Sequence, residues 1–237
     1  MKMPRILSCI ILFGELLLVT NNGLCDELMD THSNAENIPA FVDYAVIGSK
    51  LVYYSEMNTN ETFYIPDGVT EIGAAAFICN QYLKKVVFPE GVLIIQSGAF
   101  EQCINLVEVF LPETLLYIGT GAFCGCCKLT TINLPSSLLV IGTSAFSETG
   151  EIEKIIIPES CEVVGNGAFA KSKVKEIYLL PWTDIYISPN ITDPYYDTDI
   201  YLSWDESWFA EEIIDRYRGK NGHVYIIGDD QKFDLCE

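Results

Sequence analysis

Positive charge is scarce in this chain. Lys and Arg total 14 against 33 Asp and Glu in 237 residues, for a formal net charge of −19. No basic run exists, so neither nucleic acid nor an anionic lipid surface meets the clustered cations it would need. Histidine is scarcer still: His32 and His223 are the whole set, whereas structural zinc takes four ligands in paired motifs. A Gly-rich phosphate loop, H-E-x-x-H and G-x-S-x-G are all missing. Carboxylates abound, but a glycosidase holds two of them roughly 5–10 Å apart in a cleft, and nothing in the sequence marks such a pair. The reading is therefore of a chain that is not an enzyme, with no catalytic residue, metal or cofactor.

Long apolar runs are also few. The longest is Ile6 to Thr20, broken by Glu15 and preceded by Lys2 and Arg5. Gly23 and Cys25 stand at the −3 and −1 positions before Asp26, so residues 1–25 read as a secretory signal peptide. An uncleaved N-terminal anchor is the alternative, weakened by Glu15 and by a length short of the roughly 20 residues a span needs. Residues 26–61 are expected to be a polar lead-in and an N-terminal cap. Within that cap, Val42–Ile47 and Lys50–Tyr54 are expected to pair as a hairpin around Gly48-Ser49.

What is present is a repeat. Proline recurs at 66, 89, 112, 135, 158 and 181, and the pair Ala-Phe recurs at Phe77, Phe100, Phe123, Phe146 and Phe169, every step being 23 residues. A fixed period of this length is the signature of a solenoid, in which each coil covers its neighbour's apolar edge. Leu106, Val109 and Leu111 give the spacing L-x-x-L-x-L of a leucine-rich-repeat strand, and the following proline ends it. A second apolar segment ends in Ile72, Ile95, Ile118, Ile141 and Val164. Gly follows at 73, 119, 142 and 165, where a positive φ is expected, with Gln96 as the exception. Each Phe is expected to stack on the next to form a buried spine.

The combination P-x-x-[apolar]-x-x-I-G-x-x-A-F followed by L-x-x-[apolar]-x-[apolar]-P, as in Pro112–Phe123 and Leu129–Pro135, resembles the BspA-type leucine-rich repeat of secreted and surface proteins. The resemblance implies a horseshoe or rod of five copies over 62–181, with a parallel sheet on one face. Over 182–237 the tail extends the resemblance to a C-terminal cap, while 182–200 departs from the repeat and reads as an aromatic inserted loop before it. That cap would hold a helix over Trp208–Arg218 and a last strand over His223–Ile227. The insert, expected over 182–200, carries Trp182, Tyr186, Tyr195, Tyr196, Asp197 and Asp199.

Side chains alternate across a strand, so two outward rows are expected. One runs Tyr64, Val87, Phe110, Asn133, Ile156, Tyr178; the other runs Lys85, Glu108, Thr131, Lys154, Glu176. Exposed aromatic and aliphatic rows mark partner surfaces, and alternating charges would fix a partner's register. The family resemblance implies adhesion to an extracellular protein or matrix component, for a secreted or cell-surface chain with no membrane insertion once the signal is removed. A spacer with no ligand, or a carbohydrate-binding module centred on 182–205, are the rival readings.

Beyond the leader there are seven cysteines, Cys79, Cys103, Cys124, Cys126, Cys127, Cys161 and Cys236. Cys103 and Cys126 each follow a spine Phe by three residues, and Cys161 fills an apolar slot, so these read as small buried residues. A disulfide within the 124–127 cluster or between coils is the alternative. Asn60-Glu61-Thr62 and Asn190-Ile191-Thr192 fit the glycosylation pattern, with meaning only in a eukaryote.

Overall fold

The structure is a computed structural model describing residues 16–20, 23–24, 43–56, 58–179, 186–187, 191–192, 198–203, 223–227 and 232–234. Each coil contributes two short strands, one after the proline and one after the Phe turn. Strands of each kind stack in parallel along the axis. The post-proline strands build one continuous sheet through Glu71–Ile72, Ile94–Ile95, Tyr117–Ile118, Val140–Ile141, Val163–Val164 and Tyr186–Ile187. The others build a sheet of Thr62–Tyr64, Lys85–Val87, Glu108–Phe110 and Thr131–Ile132, and a further sheet beginning Lys154–Ile157 and Glu176–Leu179. The expectation of a parallel sheet on one face is thus corrected to parallel sheets on both. The post-proline segment holds its two core positions three apart, as Leu115 and Ile118, both fully buried, and its backbone pairs with the coils before and after it.

The spine forms. Ring centroids of Phe77 and Phe100 are 4.5 Å apart, and those of Phe100–Phe123, Phe123–Phe146 and Phe146–Phe169 are 5.1, 5.3 and 5.4 Å apart, all stacked. All five rings are fully buried, each worth about 1.5–3 kcal/mol on transfer from water. Each spine residue is also clamped through its backbone: Phe100 N–H donates to Ala122 O at 2.7 Å and Phe123 N–H to Ala145 O at 2.8 Å. The spine reaches further than the Ala-Phe pattern. Tyr54, one period before Phe77, stacks on it at 4.8 Å. Tyr54 ends the strand Lys50–Tyr54, which forms the expected hairpin with Tyr44–Ile47. The Tyr44–Ile47 strand in turn lies antiparallel to Leu16–Thr20, within the segment read as a leader.

Three residues after each spine ring lies a column of small polar groups, all buried: Asn80, Cys103, Cys126, Thr149 and Ser172. The two thiols donate to carbonyls of the preceding coil, Cys103 Sγ to Phe77 O at 3.1 Å and Cys126 Sγ to Phe100 O at 3.2 Å. Thr149 Oγ1 donates to Phe146 O at 3.0 Å and Ser172 Oγ to Phe169 O at 2.5 Å. Burial without a partner is what makes a polar group costly, and every member of this column has one.

The glycine expectation is corrected. Gly73, Gly119, Gly142 and Gly165 do not adopt positive φ. They are needed because the coils touch there: a Cβ on Gly119 would lie 2.5 Å from Ser97 N, and one on Gly142 2.5 Å from Thr120 N. Positive φ falls instead on the residue before each Ala-Phe: Ala75, Gly98, Gly121, Ser144 and Gly167. Gln96, the exception, donates from its amide to the Glu71 carboxylate and accepts from Ala74 N–H at 3.0 Å.

The stretch 182–200, read as an inserted loop, continues the coil wherever it is described. Tyr186–Ile187 pairs in register with Val163–Val164, Phe169 N–H donates to Ile191 O at 2.7 Å, and Asp199–Ser203 pairs with Glu176–Leu179. The Ala-Phe signature is gone, but Ile191, Ile200 and Leu202 still bury their side chains in the core. Val224–Ile227 adds a last parallel strand, and Lys232–Asp234 closes antiparallel on it. The helix expected over Trp208–Arg218 lies outside the described residues, as do Trp182, Tyr195, Tyr196, Asp197 and Asn190.

Candidate recognition surface

Every expected ladder residue of the repeats falls on the outward side of its strand. Tyr64, Phe110 and Ile156 are 68%, 43% and 45% exposed. Asn133, Thr131 and Lys154 are exposed, and Val87, Lys85, Glu108, Glu176 and Tyr178 are half-buried. Adjacent members are direct register partners, as Val87 with Phe110 and Lys154 with Glu176.

The two rows are not independent. Lys85 Nζ lies 3.0 Å from a Glu108 carboxylate oxygen and 4.7 Å from the Phe110 ring centroid. Lys154 Nζ sits 3.8 Å from the Tyr178 ring centroid. Lysine stems and charges therefore brace the aromatic rings, a contact worth about 0.5–1 kcal/mol where exposed.

Two departures from the expected strip stand out. First, the rows are not continuous. Thr131–Ile132 and Lys154–Ile157 belong to separate sheets, so the strip breaks between Asn133 and Ile156. The chain enters the later strand through a tighter turn: Ile152 N–H donates to Gly150 O, two residues back, whereas Leu106 and Leu129 N–H reach Cys103 and Cys126 O, three back. Ile132 is left only partly buried, although Val109 in the same slot is fully buried. Second, Tyr178 is not a free anchor. Its ring stacks on Tyr201 at 4.3 Å, and Tyr201 stacks on Tyr225 at 4.8 Å. Burial in this stack, with Glu176 alongside accepting from its hydroxyl at 3.2 Å, pushes the Tyr178 phenol up to about 12. The 23-residue step from Tyr178 to Tyr201 was legible in the sequence.

The candidate chemistry of the cysteines is weak. Cys79, Cys103, Cys124, Cys126, Cys127 and Cys161 are all free thiols. Burial pushes Cys103 up to about 12 and Cys161 up to about 11, and lifts Cys126 well above its ordinary range. These groups are protonated at neutral pH, unsuited to act as nucleophiles. Among the described residues no cluster of His, Cys, Asp and Glu is arranged to hold a metal ion, and no helix is long and apolar enough to cross a membrane. Asn60, a potential glycosylation site, is exposed. Asp199, from the aromatic and acidic stretch, accepts from His223 N–H at 3.2 Å.

The fold is shared with solved bacterial proteins. The pneumococcal vaccine antigen PcpA superposes with a TM-score of 0.65 at 22% identity, covering 81% of this chain and 48% of that one. This chain thus spans about half the length of that antigen. The T. pallidum leucine-rich repeat protein TpLRR superposes with a TM-score of 0.53 at 22% identity, covering 73% of this chain and 89% of that one. No curated protein matches significantly. The BspA type leucine-rich repeat region matches residues 46–178 in six copies, one more than the Ala-Phe count, in keeping with a coil that Tyr54 completes. With more than half its length in that match, the chain belongs to the BspA-type leucine-rich repeat family.

Proposed function

We propose that this chain is a secreted or cell-surface, non-enzymatic recognition protein. It binds an extracellular protein or matrix component through the outward row centred on Tyr64, Val87 and Phe110. The observation that carries this reading is an exposed aromatic pair, Tyr64 and Phe110, set on parallel strands held in register by the Lys85–Val87 strand between them. Aromatic anchors carry much of the energy of many interfaces, and a preformed sheet loses little conformational freedom on binding. The surface location is supported by the apolar leader with its charged start and by the similar pneumococcal chain being a vaccine antigen. Ile156 and Lys154, beyond the break, form a separate patch that a partner reaches only by bridging the gap.

The test is capture of extracellular matrix proteins and glycans by the processed chain, repeated with Tyr64→Ser/Phe110→Ser. Binding is expected to weaken about tenfold or more, the equivalent of about 1.4 kcal/mol, with melting nearly unaltered. Equal binding by the folded double variant refutes the ladder as the working surface.

A further inference from the structure

The coils present a second outward face with different chemistry. From proline to the coil-contact position, five successive copies read PDGVTEIG, PEGVLIIQ, PETLLYIG, PSSLLVIG and PESCEVVG. The fourth and seventh residues enter the core, and the fifth and sixth point out. In the three central copies both outward residues are apolar: Leu93–Ile94, Leu116–Tyr117 and Leu139–Val140. Leu93, Leu116 and Tyr117 are 38%, 37% and 37% exposed, and the other three are half-buried. They line up across the coils. Tyr117 pairs with both Ile94 and Val140, while Leu116 N–H donates to Leu93 O and Leu139 N–H to Leu116 O, each at 2.9 Å. The six side chains therefore form one contiguous apolar block on a rigid sheet.

The border of that block is of one sign. None of the five segments contains Lys or Arg. Exposed Glu90 and Glu113 stand in the turns leading into the central strands, Asp67 and Glu71 lie on the coil before the block, and exposed Glu159 and Glu162 on a coil after it. Lys50 is the cation on this sheet, and it is already paired with Glu71 at 2.9 Å. The lysines of the repeats, from Lys84 to Lys175, belong to the other half of each coil. A second copy of the chain would bring carboxylates against carboxylates, an arrangement that costs several kcal/mol; an anionic lipid surface fails for the same reason.

We infer that this face is a second docking surface, independent of the Tyr64–Phe110 row, and that its partner is a protein presenting an apolar centre within a rim of Lys and Arg. The probe is a labelled heptapeptide of alternating Leu and Lys, titrated into the full chain by fluorescence anisotropy at about 0.15 M salt, where long-range attraction is screened. The same peptide with Glu for Lys is the control. The Leu-Lys peptide is expected to bind and the Leu-Glu peptide is not. Leu93→Ser/Leu116→Ser/Leu139→Ser keeps every charge, and is expected to weaken binding about tenfold or more. Tyr64→Ser/Phe110→Ser is expected to leave it unchanged. Leu116→Lys, a single change at an exposed position, is expected to abolish binding should the triple variant fold poorly. Absence of binding by the parent, or equal binding by folded Leu116→Lys, overturns the inference. So does a parent dimer in sedimentation velocity that Leu116→Lys dissolves, since the occupant is then a second copy.

Discussion

The ring of Tyr54 stacks on Phe77 with centroids 4.8 Å apart and planes 29° from parallel, making the N-terminal hairpin the first layer of the spine. Its hydroxyl is buried without a hydrogen-bond partner among the described residues. An unsatisfied buried hydroxyl costs about 1–3 kcal/mol. Tyr54→Phe is therefore expected to stabilise the protein by about 1 kcal/mol, read as a higher urea midpoint. A lower midpoint shows that the hydroxyl has a partner in solution.

The centre of the spine should be the most sensitive point of the core. Phe123 is fully buried between two parallel rings, so neither neighbour can close the space that its removal leaves. Phe123→Ala is expected to cost about 3–5 kcal/mol. An unchanged denaturation midpoint contradicts the packing described.

Two glycines two residues apart should respond differently to the same substitution. A Cβ on Gly121 meets nothing nearer than Cys124 Cβ at 3.7 Å, but φ is +61°; Gly121→Ala is expected to cost about 1–2 kcal/mol of left-handed strain. A Cβ on Gly119 strikes backbone at 2.5 Å, so Gly119→Ala must push two coils apart and is expected to cost more. Paired thermal melts test the order, and the reverse order contradicts the assignment of coil contact to Gly119.

Phe110 and Tyr178 occupy the same row but should part company in stability. Phe110→Ser loses an exposed ring and one lysine contact and is expected to change stability by less than about 1 kcal/mol. Tyr178→Ser breaks the stack on Tyr201, which adds about 0.5–1.5 kcal/mol beyond lost burial. Melting curves in which Phe110→Ser is the more damaging change run against this.

Stability should fall in alkali. The folded pKa values of Cys103 and Cys161 are raised by burial, from an ordinary 9.0 to about 12 and about 11. The unfolded chain thus releases these protons first. Their contribution is fully present below about pH 9 and is lost as pH rises through the folded values. Urea midpoints should be flat from neutrality to about pH 8.5 and then decline, and at pH 8 Ellman's reagent should react with exposed Cys79 and Cys127 but not with Cys103, Cys126 or Cys161. Rapid native labelling of Cys126 disproves its burial.

By itself the sequence determined the period, the spine and the register. A 23-residue step forces equivalent residues of neighbouring coils into line, and once Val109 points inward, alternation sends Phe110 out. Relations between coils were decided only by the tertiary structure. That Gly119 serves contact rather than a left-handed turn depends on how near the preceding coil runs. The break after Thr131–Ile132 coincides with a turn one residue tighter at Gly150, in a copy whose length matches its neighbours. The coil that Tyr54 completes and the one that holds Ile191 escape the Ala-Phe pattern because Tyr54 stacks as Phe does, and because the core accepts Ile191 where other coils place Ala. The apolar block of Leu93, Leu116 and Leu139 looked like core in a string of aliphatic residues. Only the two-sheet cross-section, in which the post-proline strand has an outer side of its own, turns half of those residues toward solvent.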